Sequence, residues 1–169
     1  TGKSGYLQSM AGIAVTRMNA RFMTYLFGKD ANEGIPHDMK QISNLLKKNN
    51  IVFCGALRYA DKETSDATAV KLANFLKTKF INLTDVPGLY NKDPRKYKNA
   101  KFISNISWQD FSQITKKMTY KPGQHFILDQ DAAEIIFKNK IVTYILGRNL
   151  KSLDNLLAGK SFKGTTIRG

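Results

Sequence analysis

Thr84, Asp85, Gly88, Tyr90 and Asp93 follow a short apolar run, Phe80-Ile81-Asn82-Leu83, and lead into a basic loop. They offer a hydroxyl, two carboxylates, a flexible backbone point and a flat aromatic face. A strand ending on such groups at the carboxyl edge of an α/β sheet has the parts that hold a nucleotide. Turn chemistry offers a competing account: Pro87-Gly88 alone explains the bend, Tyr90 is a partly buried aromatic, and Asp93 caps a turn before Pro94. A second candidate is the loop 55–65, which joins an apolar run to a helix start. Backbone N–H groups and the helix dipole favour a phosphate there, and Thr64 and Ser65 add hydroxyls. The alternative is that these two hydroxyls simply cap the helix.

Elements at regular intervals must position these groups. Leu7, Met10, Ile13, Ala14, Met18, Phe22 and Leu26 recur at helical spacing across residues 6–27. The pattern predicts further helices over 38–48, 64–78, 108–117, 130–138 and 150–157, with Ser107 capping the fourth of the six. Strands are expected at 51–54, 80–83, 141–146 and 165–167, with a short extended piece at Ile103. Strands alternating with helices imply βαβ units and a layered α/β sheet.

The chain has 169 residues, enough for one domain with a real core, and 27 Lys+Arg against 13 Asp+Glu give it a net charge of +14. That balance suits anionic partners. The lysines are scattered, with only short clusters such as the one over 92–101, which reads as a solvated face more than a nucleic-acid surface. Cys54 is the single cysteine, so neither an intrachain disulfide nor a cysteine-based zinc site is expected. His37 and His125 lack a helical partner histidine, and no metal site is expected from them. No apolar run approaches the ~20 residues of a membrane span, so the expectation is a cytoplasmic protein. Thr1-Gly2-Lys3-Ser4 has the tail of a phosphate-binding P-loop without its upstream glycine.

Thr84-Asp85-Val86-Pro87-Gly88-Leu89-Tyr90 with Asp93-Pro94-Arg95 resembles the nucleotide-binding segment of the amino-acid kinase superfamily, and within it the archaeal-type uridylate (UMP) kinases. The likeness runs along most of the chain. Gly12-Ile13, Thr16-Arg17 and Asn19-Ala20 resemble the family's Gly-Ile-x-x-Thr-Arg-x-Asn-Ala helix, and Thr64-Ser65-Asp66-Ala67 its Thr-Thr-Asp-Ala helix start. Asp129 with Ala132-Ala133 resembles a later helix, and Gly164-Thr165-Thr166-Ile167 the closing strand.

The resemblance implies a layered α/β/α sandwich with a mostly parallel sheet, one domain over residues 1–169, and the reaction ATP + UMP to ADP + UDP with Mg²⁺. It places ATP on Thr84, Tyr90 and Asp93, gives Asp85 a catalytic role in orienting phosphate-binding lysines, and puts UMP against Gly55, Thr64 and Ser65. A homo-oligomer, as large as a hexamer, is implied, with the first long helix as contact surface. Three departures stand out: Ser9 and Pro87 replace family aspartates, and the acceptor loop carries Arg58, Tyr59 and Lys62 instead of the usual Pro-Gly. The family's Lys-x-Gly-Gly and Gly-Gly-Gly loops would stand before Thr1, so the resemblance implies a piece of a complete enzyme. The alternative is a non-catalytic nucleotide-binding or regulatory relative.

Overall fold

A computed structural model of the chain describes residues 5–59, 63–117 and 128–169, grouped in two compact units, Thr1–Thr68 and Ala69–Gly169. The segment 1–4, Lys62, the Pro122-Gly123 turn and His125 lie outside the described residues.

The first unit is built on α1 (Gly5–Phe27), a 3₁₀ turn (Gly28–Asp30) and α2 (Met39–Leu45). A reciprocal cap starts α2: the Asp38 carboxylate accepts from the Gln41 N–H at 2.9 Å, and the Gln41 side chain accepts from the His37 N–H at 2.8 Å. Only Ala20 and Thr24 of α1 are buried, while Leu7, Met18, Phe22, Tyr25 and Leu26 stay exposed. The helical period was therefore legible, but most of its apolar stripe stays exposed among the described residues.

No strand forms at 51–54, contrary to expectation. Ile51 makes an isolated parallel bridge with Ala31, and the next three residues join no ladder. The reason lies in Asn32, which is 2% exposed. Its amide donates to the Phe53 carbonyl at 3.1 Å and accepts from the Phe53 N–H at 2.6 Å. One side chain thus supplies both backbone partners that a neighbouring strand would have provided.

The boundary between units falls inside α3 (Ser65–Phe75). The second unit continues with β1 (Phe80–Leu83), β2 (Leu89–Tyr90), β3 (Phe102–Ile103) and β4 (Asn105–Ile106). Then come α4 (Trp108–Lys117), α5 (Gln130–Asn139), β5 (Thr143–Leu146), α6 (Leu150–Leu157) and β6 (Gly164–Ile167). The main sheet has strand order β1-β5-β6-β4. Its outer pairs are parallel, and β5 with β6 is antiparallel, with Leu146 opposite Gly164. The result is the expected layered α/β arrangement with a mostly parallel sheet. A separate antiparallel pair joins β2 to β3.

Period-2 alternation sends Phe80, Ile145 and Ile167 to one sheet face, where they join Phe111, Leu128, Ala132, Ala133 and Ile136 in the core. Each fully buried large side chain contributes about 1.5–3 kcal/mol relative to exposure. The helices on this core begin on polar caps: Ser107 Oγ accepts from the Asp110 N–H at 3.0 Å, and an Asp129 carboxylate oxygen from the Ala132 N–H at 2.8 Å.

Candidate active site

In the first unit, the segment after Cys54 lies against α1. Arg17 Nε donates to the Ala56 carbonyl at 2.9 Å, and its Nη2 donates to the Leu57 carbonyl. Thr16 Oγ1 accepts from the Ala56 N–H at 2.9 Å while donating to the Ile13 carbonyl at 2.9 Å. The approach is so close that a Cβ on Gly55 would lie 2.6 Å from the Arg17 nitrogen and 2.7 Å from the Thr16 carbonyl carbon. Beside this contact is a cavity of about 300 Å³ lined by Ser9, Gly12, Thr16, Arg58, Thr64 and Ser65 among others. Thr64 Oγ1 accepts from the Ala67 N–H at 3.1 Å, so it caps α3 at the cavity wall. Tyr59 packs edge-on against Tyr6 with ring centroids 5.0 Å apart, and Arg58 pairs with Asp38 at 3.2 Å. Burial pushes the Cys54 thiol above its ordinary pKa.

In the second unit, the Thr84 N–H extends the β1 ladder, donating to the Leu146 carbonyl at 2.8 Å, and its hydroxyl reaches Asp85 at 3.3 Å. Thr84 and Asp85 line a cavity of about 340 Å³ with Gly147, Arg148 and Asn149 from the β5–α6 turn. Asn149 caps α6, accepting from the Lys151 N–H at 3.0 Å, which places a helix N-terminus at this cavity. Arg95 bridges two carboxylates: Nη1 is 2.7 Å from Asp85 and Nε is 3.1 Å from Asp93. The side-chain hydrogen bond from Arg95, with a further one from its backbone N–H, holds the Asp93 carboxyl below the ordinary aspartate range. The same bond raises the Arg95 guanidinium.

Thr84 and Asp85 therefore meet at one cavity, and Asp93 joins them through Arg95. Tyr90 is placed differently. It packs edge-on against Phe102 at 5.3 Å in the β2–β3 pair and does not line that cavity. Thr64 and Ser65 line the upstream cavity, while Gly55 shapes it by letting the segment approach α1.

Sequence reasoning assigned no role to four participants, although Arg17 and Arg95 stand in the segments that resemble the family. Arg17 holds two loop carbonyls, Arg95 supplies the cation that Asp85 was expected to find in lysines, and Arg148 and Asn149 contribute from a distant turn. Only Arg95 left a local signal, since Asp93 followed two residues later by a donor is an Asx-turn pattern, here closed by Arg95 N–H to Asp93 at 3.0 Å. Gly88 also has a different role from the expected flexible point. A Cβ there would lie 2.7 Å from Thr165 Oγ1 and 2.9 Å from the Phe102 ring.

The amino acid kinase family matches residues 4–147. The chain belongs to that family. It is 33% identical over 157 residues to the uridylate kinase of Archaeoglobus fulgidus, covering 92% of this chain and 68% of that protein. The uridylate kinase of Methanobrevibacter smithii is 31% identical over 135 residues, covering 79% of this chain and 59% of that one. The chain thus spans about two thirds of the length of these relatives. The crystal structure of the Archaeoglobus fulgidus enzyme superposes with a TM-score of 0.86 at 31% identity, covering 98% of this chain and 74% of the other.

As an amino acid kinase the chain is a phosphotransferase. Each of its two cavities combines a helix N-terminus, polar side chains and a cation. No described helix is long and apolar enough to cross a membrane.

Proposed function

We propose that this amino acid kinase is a uridylate kinase, converting ATP and UMP to ADP and UDP. The observation that carries the reading is the match to a uridylate kinase over nearly the whole described fold, with both cavities built from segments that resemble that family's. UMP occupies the cavity of the first unit, with Thr64 and Ser65 at its wall, Gly55 shaping the loop and Arg58 offering a cation for the acceptor phosphate. ATP occupies the second, on Thr84, with Asp93 accepting from ribose or base and Tyr90 backing the loop. Asp85 acts by fixing the Arg95 guanidinium, a positive charge for the donor phosphates.

The step is an in-line displacement. An oxygen of the UMP phosphate forms a bond to the γ-phosphorus as the bond to the ADP oxygen breaks. Positioning and electrostatics carry such a reaction. Mg²⁺ fits a site with a single lining carboxylate, Asp85, because it binds chiefly to substrate phosphates, where it screens charge.

The exposed apolar stripe of α1 supports a homo-oligomer formed on that helix, since contiguous apolar surface of this kind marks an interface. A coupled ADP-release assay of the full-length protein with ATP, Mg²⁺ and a panel of nucleoside monophosphates tests the reading. Turnover with UMP in preference to AMP, CMP and GMP is expected. Binding of ATP without turnover on any acceptor would instead favour the non-catalytic relative.

A further inference from the structure

The end of the sheet remote from Thr84 carries a second anion-binding arrangement. The registers align Ile81 with Tyr144, Tyr144 with Thr166, and Thr166 with Asn105, so one row of side chains crosses all four strands on a single face. Lys79 lies two residues before Ile81 and Arg168 two after Thr166, so both continue that face by the period of two. Because β6 runs antiparallel to β5 and β1 runs parallel to it, Phe80, Thr143 and Ile167 align, and the two cations stand at the same edge. Thr84 follows the other end of β1, ~13 Å away along a four-residue strand.

This row floors a cavity of about 480 Å³, roomier than the roughly 340 Å³ beside Thr84. Lys160 joins Lys79 and Arg168 in its lining, and no Asp or Glu is among the lining residues. None of the three cations forms an ion pair among the described residues. The wall is aromatic: Phe162 meets Tyr144 edge-on at 5.8 Å, and the Lys79 ammonium stands 6.0 Å from the Tyr144 ring centre. The C-terminus of α6 also borders the cavity, but its last carbonyls are already occupied. Asp154, Asn155 and Leu156 accept from the N–H groups of Ala158, Lys160 and Gly159 at 2.9, 2.8 and 3.1 Å. The negative end of that helix is thereby quenched, and the side-chain cations set the sign of the site.

We propose that this cavity binds a small aromatic dianion, a flat ring carrying a phosphate or equivalent group, at a site separate from the donor cavity. The ring lies along Tyr144 and Phe162, and the dianion sits among Lys79, Lys160 and Arg168. Three cations without counter-charges make its binding salt-dependent, and an arginine fork adds bidentate geometry that ammonium groups lack.

The test uses 1-naphthyl phosphate as the probe, titrated calorimetrically into the full-length protein with ADP and UMP both saturating, a pair that has no γ-phosphate to transfer. One-to-one binding is expected, weakened roughly tenfold or more in the triple variant Lys79→Gln, Lys160→Gln, Arg168→Gln. All three side chains are exposed, so an unchanged circular dichroism spectrum is expected and confirms that the variant folds. Inorganic phosphate is expected to bind much more weakly than the probe. The proposal is overturned by absence of binding, by equal affinity for inorganic phosphate, or by undiminished affinity in the triple variant. Binding seen only when ADP and UMP are left out would likewise overturn it, by assigning the probe to the substrate cavities.

Discussion

A side-chain carbon on Gly55 would sit 2.6 Å from the backbone nitrogen of Arg17, and Arg17 in turn holds the carbonyls of the two residues that follow Gly55. Backbone is stacked on backbone, so neither side can yield by rotating a side chain. Gly55→Ala is expected to lower stability by about 1–3 kcal/mol through overpacking. It should also raise the UMP KM while leaving the ATP KM near its original value. Denaturant midpoints and substrate-varied kinetics check both; an unchanged UMP KM would detach this loop from the acceptor.

Arg17→Lys tests the same contact from the helix side. Lysine keeps the charge but loses the planar fork that reaches Ala56 and Leu57 together. A looser loop is expected, seen as faster amide exchange at 56–58 and a UMP KM raised roughly tenfold, a loss of about one charge-assisted hydrogen bond. An Arg17→Lys protein with unaltered acceptor kinetics would show that the loop needs only a cation there.

Arg95 ties Asp85 to Asp93, and removing its charge should be felt at both. In Arg95→Gln the Asp93 carboxyl is expected to titrate back toward the ordinary aspartate range, since the hydrogen bond from Arg95 is the main cause of its depression. The sign follows from that depression. The Arg95–Asp93 contact adds stability above the unfolded aspartate pKa and loses it as pH falls through the depressed folded value. Carboxyl carbon NMR titration of wild type and variant reads the shift directly. The ATP KM should rise in the variant, and the UMP KM should not.

Short-range chemistry was legible from residues; long-range contacts were not. Thr64 and Ser107 announced themselves as caps because the cap and the amide it satisfies are three residues apart. Thr84, Asp85 and Asp93 could be grouped because one strand and its loop carry them all. Asn32 substituting for a strand beside Phe53, 21 residues away, leaves no such trace, and residues 51–54 therefore read as a strand. Arg148 and Asn149 reach the Thr84 cavity only because β5 pairs with β1, a register that periodicity alone does not specify. The stripe on α1 was visible as a helix period, but nothing local distinguishes an apolar face that meets a core from one that stays exposed.

Thr165 is fully buried and joins three strands through one hydroxyl. It accepts from the Leu89 N–H at 2.8 Å and donates to the Ile103 carbonyl at 2.5 Å, linking β6 to both members of the β2–β3 pair. Thr165→Val keeps the shape and removes both bonds. Each buried backbone group left unsatisfied costs about 1–3 kcal/mol. The expected result is a clear fall in the denaturation midpoint and faster exchange of the Leu89 amide. Serine, which keeps the hydroxyl, should recover most of the loss, and equal destabilisation by valine and serine would point to packing instead.

Cys54 stands one residue before the Gly55 contact, half-buried, and burial raises its thiol pKa because the thiolate loses solvation there. Two consequences separate chemistry from stability. At neutral pH the thiolate fraction is below that of a free cysteine, so modification by a disulfide reagent should be slower than that of a free cysteine, and should accelerate as pH rises beyond the usual thiol range. Because the folded pKa lies above the unfolded one, the stability gained by burying the neutral thiol is fully present below the unfolded value. It is lost as pH rises through the folded value. Wild type should therefore lose more stability than Cys54→Ala over that alkaline window, with the two curves parallel at neutral pH. A thiol that reacts at the free-cysteine rate at pH 7 would mean that the segment leading into Gly55 opens readily, and the acceptor loop would then be shaped by UMP itself.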